Sequence, residues 1–138
     1  MSGQVTTETS VAPRWHLRPA ALCAAGVARI LARLSPEHLR WVLELARCGA
    51  RSAGEIEALR ARNAVVAVSM RCTGRWCLQR SIATALLCRM HGCWPEWRTG
   101  VRTQPFQAHA WVAVDGKAVG ESDDIQFFHP TMTVPSRR

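Results

Sequence analysis

The chain of 138 residues has no apolar run near the roughly 18 residues that a membrane span needs. Its first stretch, Met1 to Ser10, is polar and lacks the basic-then-apolar order of a secretion signal. These two absences give the expectation of a soluble, cytoplasmic protein. A helix-turn-helix signature, the Cys/His spacing of a zinc finger and an RNA-binding aromatic motif are also missing. So, nearly, is lysine: Lys117 stands alone. The net charge of +8 therefore rests on arginine, spread from Arg14 to Arg138 rather than gathered in one block. Such a surface suits an acidic protein or peptide as well as it suits nucleic acid. With no nucleic-acid motif beside it, a nucleic-acid partner is not expected.

What is present describes one globular domain. A hydrophobic fraction of 48% builds a core and excludes a largely disordered chain. Without a secretion signal, the six cysteines do not read as a disulfide framework. Cys23, Cys48 and Cys88 recur among Ala, Leu and Val, where a thiol acts as a small buried hydrophobe.

Residues 1–13 read as a flexible tail and 14–138 as a single domain, with a helical part over 19–70 and a catalytic core over 71–126. Leu22, Val27, Ile30, Leu31 and Leu34 recur at helical steps and predict a helix over Pro19 to Leu34. Ser35-Pro36-Glu37-His38 restarts the chain with a cap serine and a first-turn proline. The helix it opens carries Leu39, Val42, Leu43 and Leu45 and stops near Gly49. Ser52-Ala53-Gly54-Glu55 has the form of a capping box for a third helix, Ile56 to about Met70. After the loop Cys72-Thr73-Gly74-Arg75 a fourth helix runs from Cys77 to His91-Gly92, burying Ile82, Leu86 and Leu87. The period then changes. Trp97–Arg102 and His109–Val114 read as strands, Asp115-Gly116 as a hairpin turn and Lys117–Glu121 as the returning strand. Helices first and an antiparallel sheet second define an α+β domain. The stretch from Phe127 to Arg138 shows no clear period.

Cys77 and His109 are placed like a catalytic pair. A thiol at a helix N-terminus feels the positive end of the macrodipole and loses its proton more readily. An imidazole on a neighbouring strand can take that proton, which is the logic of an activated nucleophile for acyl transfer. A turn centred on Asp115 or Gly116 sets Glu121 or Ser122 opposite His109, and Glu121 pairs directly when the centre is Asp115. Glu121 would then orient the imidazole and stabilise its charged form. Asp115 lies in the turn itself, and Asp123, nearer Gln107, is the reserve acid. Each residue alone also has a plain reading: a buried thiol, a satisfied strand histidine, a solvated glutamate. A zinc site would use Cys72, Cys77, Cys88 and Cys93 with His91, but its four-residue gaps bracket a helix end and fit poorly. Trp94 and Trp97, beside Pro95, either line a peptide groove or pack in the core.

The segment Trp76-Cys77-Leu78-Gln79-Arg80-Ser81 and the segment Ala108-His109-Ala110-Trp111-Val112 through Glu121 resemble the transglutaminase-like cysteine peptidases of lasso-peptide biosynthesis. The 32-residue step from Cys77 to His109 also fits that group. The resemblance covers about residues 65 to 121 and extends to the N-terminal helices only in character. It implies a transglutaminase/papain-like core, with Cys77, His109 and Glu121 as the catalytic set. It implies a leader peptidase acting on a ribosomally made precursor peptide. Its partners would be a leader-recognition protein that delivers the precursor and an ATP-dependent lasso cyclase acting next. No cofactor is implied. Two positions depart from the family pattern: Ala113 stands where an acidic residue is common, and Glu121 where aspartate is usual. The alternative, from residues alone, is a basic non-catalytic binding module for an acidic peptide or nucleic acid, with Cys77 structural.

Overall fold

The structure, a computed structural model, describes residues 18–68, 77–103, 106–121 and 123–136. The expected tail over 1–13 lies outside these residues, as do the Cys72–Arg75 loop and Ser122. Among the described residues, four helices and two small sheets form the α+β architecture that the change of period predicts. The helices are α1 (Arg18–Leu31), α2 (Pro36–Ala46), α3 (Glu55–Val68) and α4 (Cys77–Met90). A parallel pair joins β1 (Arg51–Ser52) to β2 (Cys93–Trp94). The larger sheet contains β3 (Glu96–Arg102), β4 (Gln107–Val114), β5 (Lys117–Ala118) and β6 (His129–Val134) in the order β5-β4-β3-β6, with antiparallel neighbours. A 3-10 turn, Asp123–Phe127, leads into β6. None of the described helices is long and apolar enough to cross a membrane.

Helix α4 is the centre of the packing. Arg80 through Ala85, Leu87 and Cys88 are all buried, so the helix presents no wide solvent face. It lies against α1 and α3 on one side and β4 on the other. Here the leucine pattern misleads. Of the expected apolar set, Leu31 and Leu34 pack against the core, yet Leu22, Val27 and Ile30 are 56%, 41% and 67% exposed. The buried residues are Ala21, Ala24 and Ala28, also at helical spacing. Small side chains let two helix backbones come close, and that contact replaces the larger apolar stripe. Leu45 of α2 is likewise exposed, while Leu39 and Leu43 are buried.

Several helix ends obey local chemistry. Ser35 caps α2, its hydroxyl accepting from the His38 amide, with Pro36 in the first turn. The capping box of α3 sits two residues later than Ser52-x-x-Glu55 suggests: the Gly54 amide donates to Glu57 Oε1 at 2.9 Å. Arg51 pairs with the same carboxylate, which favours its placement at that cap. Gly92 ends α4 with φ +86°.

Both tryptophans in question are core residues. Trp94 and Trp97 are fully buried, donating from Nε1 to the Val134 carbonyl at 3.3 Å and to Ser81 Oγ at 3.0 Å. Trp97 and Val112 oppose one another across β3 and β4, and the Ser81 bond ties this face of the sheet to α4. Gly100 stands opposite His109 in the same ladder. A Cβ there would come within 2.7 Å of the His129 carbonyl oxygen and 2.8 Å of the Trp111 ring. Gly100→Ala should therefore lower stability by about 1–3 kcal/mol, the usual cost of overpacking a tight site. An unchanged denaturant midpoint at constant slope would contradict that close packing.

Of the three cysteines expected as buried hydrophobes, only Cys88 is buried; Cys23 and Cys48 are exposed. Cys23 lies on the side of α1 away from its alanine contact, and Cys48 lies in the turn after α2, its thiol donating to the Glu44 carbonyl at 3.5 Å. The cysteines among the described residues are free thiols.

Candidate active site

Cys77 is the first residue of α4, and β4 runs alongside that helix. The site forms where the helix start meets the His109 region of the strand. The Cys77 thiol lies close enough to the His109 side chain and the Ala110 backbone for both to act on its proton affinity. His109 Nε2 lies 2.8 Å from Glu121 Oε1, which leaves Nδ1 as the ring nitrogen for the thiol. The three sequence candidates Cys77, His109 and Glu121 are thus brought into one chain of contacts. His109 is 20% exposed at its side chain and Glu121 10%, so the pair is sheltered but reachable.

The route by which Glu121 arrives differs from direct opposition around Asp115. The ladder pairs Val114 with Lys117 and Ala113 with Ala118, so the turn is centred between Asp115 and Gly116. Continued strictly, that register would oppose His109 with Ser122 rather than Glu121. The pairing instead stops after the Val119 amide, which donates to the Val112 carbonyl at 2.9 Å, and Gly120 turns the chain with φ +71°. This departure from extended backbone carries the Glu121 side chain to the imidazole. Asp115 sits in the turn with φ +53° and is exposed. Asp123 opens the 3-10 turn.

Electrostatics act in opposite directions on Cys77 and His109. Burial pushes the Cys77 thiol up, but its hydrogen bonds to His109 and to the Ala110 backbone, with the positive charges of His109 and Arg80, outweigh burial and leave it below the ordinary thiol range. The hydrogen bonds of its ring with Cys77 and then with Glu121, with the charges of both, raise His109 from 6.5 to about 9 against the effect of burial. The same contact moves the thiol down and the imidazole up, so each group favours the charged form of the other.

Residues outside the sequence candidates complete the surroundings. His109 stacks on Trp111 with ring centres 5.8 Å apart, and Phe128 tilts against it at 5.5 Å. The Arg102 guanidinium lies over Phe128 at 5.5 Å. Arg80 Nη2 lies 3.9 Å from Glu121 Oε2. Arg80 was legible in principle, since it follows Cys77 by three residues and so shares its helix face. Phe128 gave no signal, because it joins the site through the unpatterned C-terminal stretch.

The cysteines weighed for zinc do not gather. Cys77 and Cys88 stand at opposite ends of α4, about 16 Å apart by helical rise. Cys93 Sγ donates to the Cys88 carbonyl at 3.4 Å, and the His91 ring meets the Leu87 carbonyl through Nδ1 at 2.9 Å. Cys72 lies outside the described residues. Among the described residues no three His, Cys, Asp or Glu side chains form a metal-sized group.

Comparison with known proteins agrees with this architecture. The pattern of the transglutaminase-like superfamily matches residues 21–133, which spans α1 through most of β6. No curated protein and no solved structure matches the chain. With the greater part of its length covered, this chain belongs to the transglutaminase-like superfamily.

Proposed function

We propose that the protein is a cysteine peptidase that removes the leader from a ribosomally made lasso precursor peptide. The observation that carries the chemistry is the contact chain from Cys77 through His109 to Glu121 at a helix start. Membership of the transglutaminase-like superfamily supports it, since that superfamily includes cysteine peptidases. The resemblance of the Cys77 and His109 segments to lasso leader peptidases supplies the substrate class.

In this reading the Cys77 thiolate attacks the scissile carbonyl carbon. The backbone amide of Cys77, at the positive end of α4, donates to the oxygen as charge develops there. The tetrahedral species collapses as the C–N bond breaks, and the His109 imidazolium gives its proton to the leaving amine. Neutral His109 then takes a proton from water, whose oxygen attacks the thioester and releases the acyl group. Cys77 leaves as thiolate and His109 is again charged. Glu121 holds the imidazole in one tautomer and stabilises its charge throughout. No cofactor enters these steps.

The partners follow from the same resemblance: a recognition protein that presents the leader, and a lasso cyclase that consumes the freed amine. The purified protein alone should cleave generic substrates poorly. Adding the recognition protein should raise cleavage of its own precursor at least about tenfold, the gain from one weak-to-firm binding step of about 1.4 kcal/mol. Mass spectrometry of leader and core fragments reads the result. Efficient digestion of unrelated proteins without a partner would contradict the reading.

A further inference from the structure

Behind Glu121 lies an arginine pair to which the proposed steps give no task. Arg80 of α4 has a side chain only 11% exposed and reaches towards Glu121 Oε2. Arg62 comes from α3, and its Nε is buried without a hydrogen-bond partner. Arg62, Arg80 and Glu121 line one small cleft together with Ser81 and Thr84. Burial lowers the Arg62 pKa, the like charge of Arg80 lowers it further, and Glu121 opposes both. Two cations that repel one another are tolerable there because a carboxylate shares the cleft.

The backbone is shaped around this arrangement. A Cβ on Gly120 would come within 2.6 Å of Arg62 Nε. The left-handed φ of Gly120 is the step that leads the chain out of β5 and into Glu121. Arg62 therefore lies flat on the peptide segment that aims the acid. A glutamate needs such support more than an aspartate does, because its extra rotatable bond adds conformational freedom that must be lost.

We propose that Arg62, seated on Gly120, is a positioning residue that holds the Glu121 carboxylate against His109. The inference rests on the peptidase reading in taking Cys77 and His109 as the reacting pair. It adds a determinant from α3, outside the resembling segments. Arg80, 3.9 Å from Glu121 Oε2, shares this task from α4; the remaining groups around His109 do not. Cys77 faces it from α4, Trp111 and Phe128 are uncharged, and the Arg102 charge is directed onto the Phe128 ring.

The test follows iodoacetamide labelling of the full chain against pH, with Cys77 resolved from Cys23 and Cys48 by peptide mass. In the wild-type protein Cys77 should label fastest. Arg62→Met keeps the stem and removes the charge. It should raise the pH midpoint of Cys77 labelling by about one unit, the lower end of what a neighbouring charge does, and Arg62→Lys should restore most of that shift. Precursor cleavage should fall about tenfold in Arg62→Met, whereas in a Glu121→Gln background the same change should cost less than about twofold. Gly120→Ala, which displaces the Arg62 side chain without removing it, should shift the midpoint in the same direction and keeps the test open if Arg62→Met fails to fold. An unmoved midpoint, or equal losses in both backgrounds without rescue by lysine, would overturn the inference and leave the peptidase reading standing. If wild-type Cys77 labels no faster than Cys23 and Cys48, the peptidase reading falls and takes this inference with it.

Discussion

Cys77→Ala should abolish leader release, lowering turnover by about 10⁴-fold or more, the scale set by removal of a covalent nucleophile. The fold should survive, because the change deletes one sulfur from a partly exposed helix start. Far-ultraviolet circular dichroism and the melting temperature should match the wild type closely. Cys77→Ser should be nearly as inactive. The site lowers the proton affinity of a thiol, but a serine hydroxyl starts many orders of magnitude less acidic, and the shifts here do not bridge that gap. Precursor incubated with each variant and followed by mass spectrometry gives the answer. An alanine variant that cleaves at the wild-type rate would remove Cys77 from the mechanism, and the basic binding module would become the better account of the chain.

The elements that place the candidate residues are more legible in the sequence than the packing is. Cys77 at a helix start and His109 on a strand are local features, each set by a cap position or a period within a few residues. Their meeting depends on α4 lying along β4, and the helix-then-sheet order with short links already implies such a layer. What could not be read was which face of α1 meets α4. Leu22, Val27 and Ile30 outweigh Ala21, Ala24 and Ala28 on any hydrophobicity scale, yet the smaller set is buried. Close backbone approach is a property of two helices together and leaves no mark in one of them. β6 was missed for a related reason. Its Pro130 argues against a central strand, but β6 is an edge strand paired only with β3, where proline is tolerated. The pair β1 and β2 is too short, at two residues each, to show a period at all.

The Glu121 contact lay between these extremes. The hairpin turn restricted the candidates to neighbours of residue 121, while the final placement came from Gly120 breaking the ladder. Glu121→Gln tests what that placement does. The amide keeps the side-chain length and can still accept from His109 Nε2, but it removes the negative charge. Cys77 contributes first and Glu121 second to holding His109 near 9, so the loss of charge should lower that value towards the ordinary 6.5. The sign follows from the states required. The thiolate exists above the thiol's own pKa and the imidazolium below that of His109, so the productive pair occupies the window between them. Lowering the upper bound narrows that window from its alkaline side. Turnover should fall by about 10²–10⁴-fold, as when a triad carboxylate loses its charge, with the alkaline limb of the rate profile moving to lower pH. Asp115→Asn should cost little, because asparagine before glycine suits a two-residue turn as well as aspartate does. A crippled Asp115→Asn or Asp123→Asn beside a mild Glu121→Gln would transfer the orienting role away from Glu121. The Cys77–His109 pair would stand in that case, but the charge that keeps His109 protonated would have to come from another acid.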